Sequence, residues 1–274
     1  MLVVFAAVYQ IGCSKPSPTT SNNPTPVAPP AASPITTVEA AEPVAVAERA
    51  AKPPCAADLA HCPNVGCGGE IDPNLNKRKN LASDPHQPQT KTLEFMAGLG
   101  KPDATFKKGD TREKIAALGE GKMIKVLAYL LVAKPELGGE SCNCGLHLPE
   151  ETDNHLVLVT KATVDSIPLG SSPDVFHARE KLSQTAEFTP RVRLSHHNFT
   201  REKVQPMIDA VPQKALLVRV TGLLLFDSEH FFANHLNRAN DWETHPVFKL
   251  EFCTTGDTCK VDSNAGWKSL DDLP

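Results

Sequence analysis

A mainly β architecture is predicted for this chain, and three observations carry the prediction. The first is a series of apolar, β-rich runs from Met123 onward, separated by turn-forming Gly, Asn and Asp. The second is a single amphipathic helical stretch between the third and fourth of these runs. The third is the contrast with residues 14–54, which hold ten prolines, many Ala, Ser and Thr, and no aromatic residue. That segment buries too little apolar surface to offset chain entropy, so it is expected to be a disordered tether reaching roughly 35 Å. The rest of the 274-residue chain is long enough for one substantial core.

Residues 55–120 read as a loop-rich, Cys-containing N-terminal extension packed on the barrel, because CAADLAHCPNVGCGGEIDPNLNKRKN has no sustained period. Lys77, Arg78 and Lys79 read there as a solvated charge cluster. Short helices are expected at 90–99 and at 110–118, the second capped by Asp110 and closed by Gly119. The runs MIKVLAYLLVAK (123–134) and NHLVLVT (154–160) are the first two strands. TAEFTPRVRL (185–194) alternates Phe188, Pro190, Val192 and Leu194 against Glu187, Thr189, Arg191 and Arg193, and reads as the third. Residues 199–211 form a helix capped by Thr200, with Val204, Met207, Ile208 and Val211 on one face and Pro206 as a point of bending. Residues 216–227 and 244–253 are the last two strands, with Gly222 at a tight bend. Three strands, a helix and two strands are the element order of a five-stranded OB-like Greek-key barrel, placed at 121–253. Residues 254–274 are expected to be a C-terminal tail.

The chain has eight cysteines. Apart from Cys13 the number is odd, so at least one is unpaired or paired between molecules. Cys253 and Cys259 flank the turn TTGDT and suit a local disulfide. Cys62, Cys67, Cys142 and Cys144 are candidates for bridges across the domain, with zinc as the lesser reading because Cys-x4-Cys with Cys-x-Cys is not a zinc-ribbon spacing. The run GGESCNCG (138–145) reads as a connection pinned by disulfides, since it lacks the Lys and Ser/Thr of a phosphate loop. At the N-terminus, MLVVFAAVY is too short to cross a bilayer as a helix. It leads into Gln10-Ile11-Gly12-Cys13, which resembles the lipobox of bacterial lipoproteins, with Gln10 where leucine is usual and no basic residue before the run. The resemblance implies a signal segment at 1–13, a lipid anchor on Cys13 and a membrane-attached protein of the bacterial cell envelope. A secreted or soluble periplasmic protein is the alternative.

In DWETHPVFKLEFC, period-two alternation places Trp242, Thr244, Pro246, Phe248, Leu250 and Phe252 on the core face. Glu243, His245, Val247, Lys249 and Glu251 take the other face, and Pro246 requires an edge or a bulge. The segments EGKMIKVLAYLLVAKPELGGESCNC, DNHLVL, EFTPR, VTGLLLFDSEH and WETHPV resemble an uncharacterised family of exported bacterial proteins with an OB-fold-like barrel and a WEIHPV-like motif. That resemblance implies architecture and no activity. Glu187, Arg191, Glu243 and His245 are the candidate ligand-binding residues, with Arg191 suited to a bidentate phosphate contact. His155, Asp227, His230 and His245 are the candidate metal ligands, Glu243 adjoins them, and Asp153 shares a face with His155. His235 lies in the same hairpin as Asp227 and His230. The competing reading is a polar network that only stabilises the barrel surface. The sequence has no HExxH, no GxSxG elbow and no dinucleotide-binding glycine turn. A net charge of −4 and few aromatic residues argue against a nucleic-acid partner. The function expected is a non-catalytic binding or interaction module with no cofactor. The alternative is a hydrolase of phosphodiesters that uses a divalent metal at the barrel rim.

Overall fold

A computed structural model describes residues 53–274, apart from Glu70, Asp84, Pro85, Leu137, Ser171, Pro173, Asn234, His235 and Leu236. The tether and the anchor on Cys13 therefore lie outside the described residues, as does His235. In chain order the elements are α1 (Pro73–Lys79), β1 (Gln89–Lys91), α2 (Leu93–Ala97), α3 (Glu113–Leu118), β2 (Met123–Pro135) and β3 (Asn154–Val159). Then come α4 (Lys161–Ser166), α5 (Val175–Glu180), β4 (Gln184–Phe188), α6 (Pro190–Arg193) and α7 (Arg201–Asp209). Strand β5 (Leu216–Phe226), α8 (Ser228–Ala233), β6 (Trp242–Cys253) and β7 (Trp267–Ser269) complete the chain.

Strand β2 has two partners within the barrel: its first half pairs antiparallel with β5 and its second half with β3. A register shift between Leu130 and Val132 eases that change of partner, as bulges do where a strand bends. From β3 the sheet continues antiparallel to β4, parallel to β6 and antiparallel to β5, closing a mixed five-stranded barrel. Strand β1 adds beside β2 and β7 beside β6. Alternate residues of the strands fill the interior: Ile124, Val126, Ala128, Leu130, Leu156, Leu158, Ala186, Phe188, Leu224 and Trp242. Each such Leu, Val or Phe stabilises the fold by about 1.5–3 kcal/mol. Trp242, the largest fully buried side chain, also donates its indole N–H to the Gly100 carbonyl at 2.9 Å.

The barrel strands fall within two residues of their expected bounds except the third, which ends at Phe188. Thr189 accepts from the Val192 N–H and Pro190 takes the first helical position, a pairing of cap and proline that starts α6. Arg191 therefore leaves the sheet, and its guanidinium donates to the Cys62 carbonyl at 2.7 Å. Helix α7 keeps its Thr200 cap and runs through Pro206, with Val204 and Ile208 buried. The charge cluster at 77–79 is corrected too. Asp72 caps α1, and Lys79 is buried at 3% exposure instead of solvated. Residues 90 and 91 belong to β1, so Thr92 caps α2. Asp110 caps no helix, although Gly119 closes α3 with φ 132°. Within the tail, β7 pairs with β6.

Cys253–Cys259 forms as expected, and Cys62 pairs with Cys144. Cys67 pairs with Cys55, leaving Cys142 as a buried free thiol. Among the described residues, no helix is long and apolar enough to cross a membrane.

Candidate functional site

Strands β3, β4 and β6 lie side by side, and their register builds a polar ladder on the side facing away from the barrel interior. His155 is the direct cross-strand partner of Glu187, and Thr185 is that of Glu243. One step further along the same face, Glu187 meets His245. The intervening residues Leu156, Ala186, Phe188 and Trp242 point into the core, so period two sends His155, Glu187, Glu243 and His245 outward. An outward polar face would ordinarily be wet, but this one is roofed. The loop bearing Glu140, Cys142 and Asn143 is fastened by Cys62–Cys144, and α1 lies against β6. Asn80 donates to the Cys142 carbonyl at 2.9 Å and Lys79 to Glu140 at 3.2 Å, tying roof and helix together. Asp153 is 1% exposed, Glu187 2%, and Glu243 and His245 are fully buried.

His245 stands at the centre. Its Nδ1 is 2.9 Å from Glu187 Oε2 and 3.3 Å from Glu243 Oε1, and its Nε2 is 3.9 Å from Asp153 Oδ2. The two Nδ1 contacts are ion pairs out of line for hydrogen bonds, and the Nε2 contact is too long for one. Both ring nitrogens and those three oxygens lack a hydrogen-bond partner among the described residues. One nitrogen of His245 and one oxygen each from Asp153 and Glu187 lie within 4.8 Å of one another, the spacing of a cation's ligands. Glu140, Cys142 and Asp153 form a second such group, while the group of Cys55, Cys67 and Cys144 is accounted for by disulfides.

Burial alone would lower the His245 imidazole, but Glu187 and Glu243 beside it hold its pKa well above the usual histidine value. Burial also works against the Glu187 carboxylate, yet His155, His245 and Lys79 keep its pKa well below the ordinary range. Asp153 goes the other way: burial, then the nearby Glu140 charge, push it well up. Two buried acids, Glu187 and Asp153, thus shift in opposite directions because their neighbours differ.

Asp227 and His230 do not join this group. Asp227 accepts from the His230 ring and, at 3.1 Å, from Arg238, whose other terminal nitrogen donates to Glu243 at 2.9 Å. The predicted metal ligands therefore separate into a pair at the start of α8, Asp227 and His230, and a cluster around His245. Arg238 links the two. His155 reaches the cluster through Glu187, 3.3 Å from its Nε2. A cleft of about 170 Å³ opens here, lined by His155, Ser183, Thr185, His230 and Arg238 among others. Arg191 has no part in the site, since α6 carries it to the Cys62 carbonyl. Asp153, Lys79 and Arg238 were not among the selected candidates. Only Asp153 had a usable signal, its two-residue spacing from His155 at the start of a strand.

Comparison with protein-family models, curated proteins and solved structures gives no match.

Proposed function

We propose that this chain is a divalent-cation-binding module built on an OB-like barrel, with Asp153, Glu187 and His245 as the cation's ligands. The OB-like reading is supported by the spatial order first-second-third-fifth-fourth of the barrel strands, and by a helix between the third and fourth. The cation reading is carried by one observation. Three buried residues of ligand chemistry converge, and Asp153 Oδ2, Glu187 Oε2 and both His245 nitrogens make no aligned hydrogen bond among the described residues, only ion-pair contacts within the group. A buried polar group left so costs about 1–3 kcal/mol, and buried charges are ordinarily paired or bound to metal. Two carboxylates with an imidazole suit the Mn²⁺, Fe²⁺ and Zn²⁺ class, rather than the all-oxygen cages of Ca²⁺ and Mg²⁺. Thermal unfolding tests this. A cation present at a hundredfold excess over its Kd adds about 2.7 kcal/mol, which raises Tm by roughly 5–10 °C for a domain of this size. Mn²⁺ or Zn²⁺ should raise Tm over a chelator-treated sample, and His245→Ala should abolish the rise. Identical melting with and without metal would remove the reading.

A second reading, hydrolysis of phosphodiesters, is favoured by the cleft that reaches Glu187 through His155. A cation held at Glu187 would lower the pKa of a bound water and supply the nucleophile. Turnover of a generic phosphodiester that disappears in Glu187→Gln would support it, and metal binding without turnover would leave a binding module. Attachment to the cell envelope through Cys13 remains part of the proposal. It rests on the run ending in Gly12-Cys13, and three disulfides suit an oxidising compartment. Cys13→Ala should move the protein from the membrane to the soluble fraction. Unchanged fractionation would oppose the anchor.

A further inference from the structure

Arg238 is nine-tenths buried, and its two terminal nitrogens are taken by Glu243 and Asp227. Its Nε is buried too, yet has no hydrogen-bond partner among the described residues. His155 Nε2 likewise makes no aligned hydrogen bond among the described residues, although Glu187 lies 3.3 Å and Glu136 3.6 Å away. Both side chains line the cleft of about 170 Å³, together with the hydroxyls of Ser183 and Thr185, the Lys134 ammonium and the His230 imidazole. Glu180, the carboxylate on that lining, is engaged by Lys134. A donor-rich concavity whose arginine and histidine each hold an unused nitrogen matches a group with several acceptor oxygens.

We infer that this cleft seats a phosphate or phosphate-ester group, with Arg238 and His155 as donors, against the cation held at Asp153, Glu187 and His245. The inference rests on the cation-site reading for a reason of charge. Asp153, Glu187, Asp227 and Glu243 are four buried carboxyl groups, with Glu140 a fifth, partly buried one. The permanent cations among them are Lys79, paired with Glu140, and Arg238. Without a divalent ion, that balance does not attract an anion. With one, its charge lies behind Glu187, which His155 touches at the cleft, and adds to that of Arg238 on the lining. Phosphate binding therefore depends on metal.

The test is calorimetric titration of inorganic phosphate into the full chain, Mn²⁺-loaded and chelator-treated, with acetate as the carboxylate control. Elemental analysis of the same samples reads the metal separately. Saturable phosphate binding is expected in the loaded chain and at least about tenfold weaker binding without metal. Arg238→Lys keeps the charge and loses the guanidinium Nε, and His155→Gln removes the imidazole. Each should weaken phosphate by about tenfold in samples that still hold Mn²⁺. Arg238→Lys gives up part of its buried pairing with Asp227 and Glu243 and should also melt lower. Its phosphate affinity is therefore compared per Mn²⁺ bound, and His155→Gln is the decisive variant. Retained Mn²⁺ with no phosphate binding overturns the inference, as does unchanged binding in His155→Gln. Acetate binding as tightly as phosphate overturns the phosphate assignment. Failure to retain Mn²⁺ registers in the elemental analysis and defeats the cation-site reading itself.

Discussion

Tyr129 shows at single-residue scale how the outer side of this barrel treats ionisable groups. It belongs to a second apolar cluster with Leu131, Val157, Val159 and Leu217. Burial, aided by the nearby Asp257 charge, pushes its phenol up to about 12. The folded chain then holds the phenol proton more tightly than the unfolded chain, so stability falls as pH rises from about 10 to about 12. Absorbance titration should show a late tyrosinate step near pH 12 that vanishes in Tyr129→Phe. A phenol titrating near 10 in the native chain would contradict the buried environment. The polar residues were legible to a similar depth. Strand parity alone set Glu243 and His245 on one face, where His245 meets both Glu243 and Glu187. Lys79 was not legible, because its partner Glu140 lies 61 residues away. Arg238 pairs within its own hairpin, five residues from Glu243 and 11 from Asp227, but no local period marks a side chain in that loop.

At the scale of elements, the crossing of β5 and β6 sets the position of the cluster. The register between the two strands shifts on both sides of Gly222, and Val247 pairs with that glycine. A Cβ on Gly222 would lie 2.3 Å from the Pro246 carbonyl oxygen and 2.7 Å from the Thr244 methyl. Glycine is required there by close backbone approach, which also accommodates Pro246 within the strand at a bulge. The irregularity turns Val247 into the core, against the strict alternation expected, while Glu243 and His245 keep their outward phase. Gly222→Ala should lower stability by about 1–3 kcal/mol or more, read as a shift of the urea midpoint at unchanged slope. An unshifted midpoint would mean the strands cross with more room. Strands could be read from apolar runs because burial imposes their period. The third overran because its alternation continues through Thr189-Pro190, where a cap and a proline outweigh it.

For the whole molecule, the feature that matters is the covering of one barrel face by the N-terminal extension. Cys62–Cys144 spans a sequence separation of 82 and fastens that roof, from which Asn143 donates to Asp153 Oδ1 at 3.0 Å. A bridge closing so long a loop contributes about 2–5 kcal/mol, so the pair Cys62→Ser with Cys144→Ser should melt well below the parent. The pair should also bind metal more weakly, since the roof both dries and orients the cluster. Unchanged metal affinity in a folded double variant would separate the roof from the site. An extension on the barrel with cross-domain bridges could be expected from its cysteines, but not which face it covers or which cysteine joins Cys62, because a loop-rich segment has no period to mark either. The central claim is that Asp153, Glu187 and His245 hold one divalent cation. Its most direct measurement is the stoichiometry and affinity of Mn²⁺ and Zn²⁺ binding by titration calorimetry on the full chain, with Glu187→Gln alongside. About one ion per chain is predicted, lost in Glu187→Gln. Binding should be tighter at about pH 8 than at about pH 6, because the ion must displace protons from His245 and Asp153. No saturable binding, or binding that survives Glu187→Gln unchanged, would contradict it.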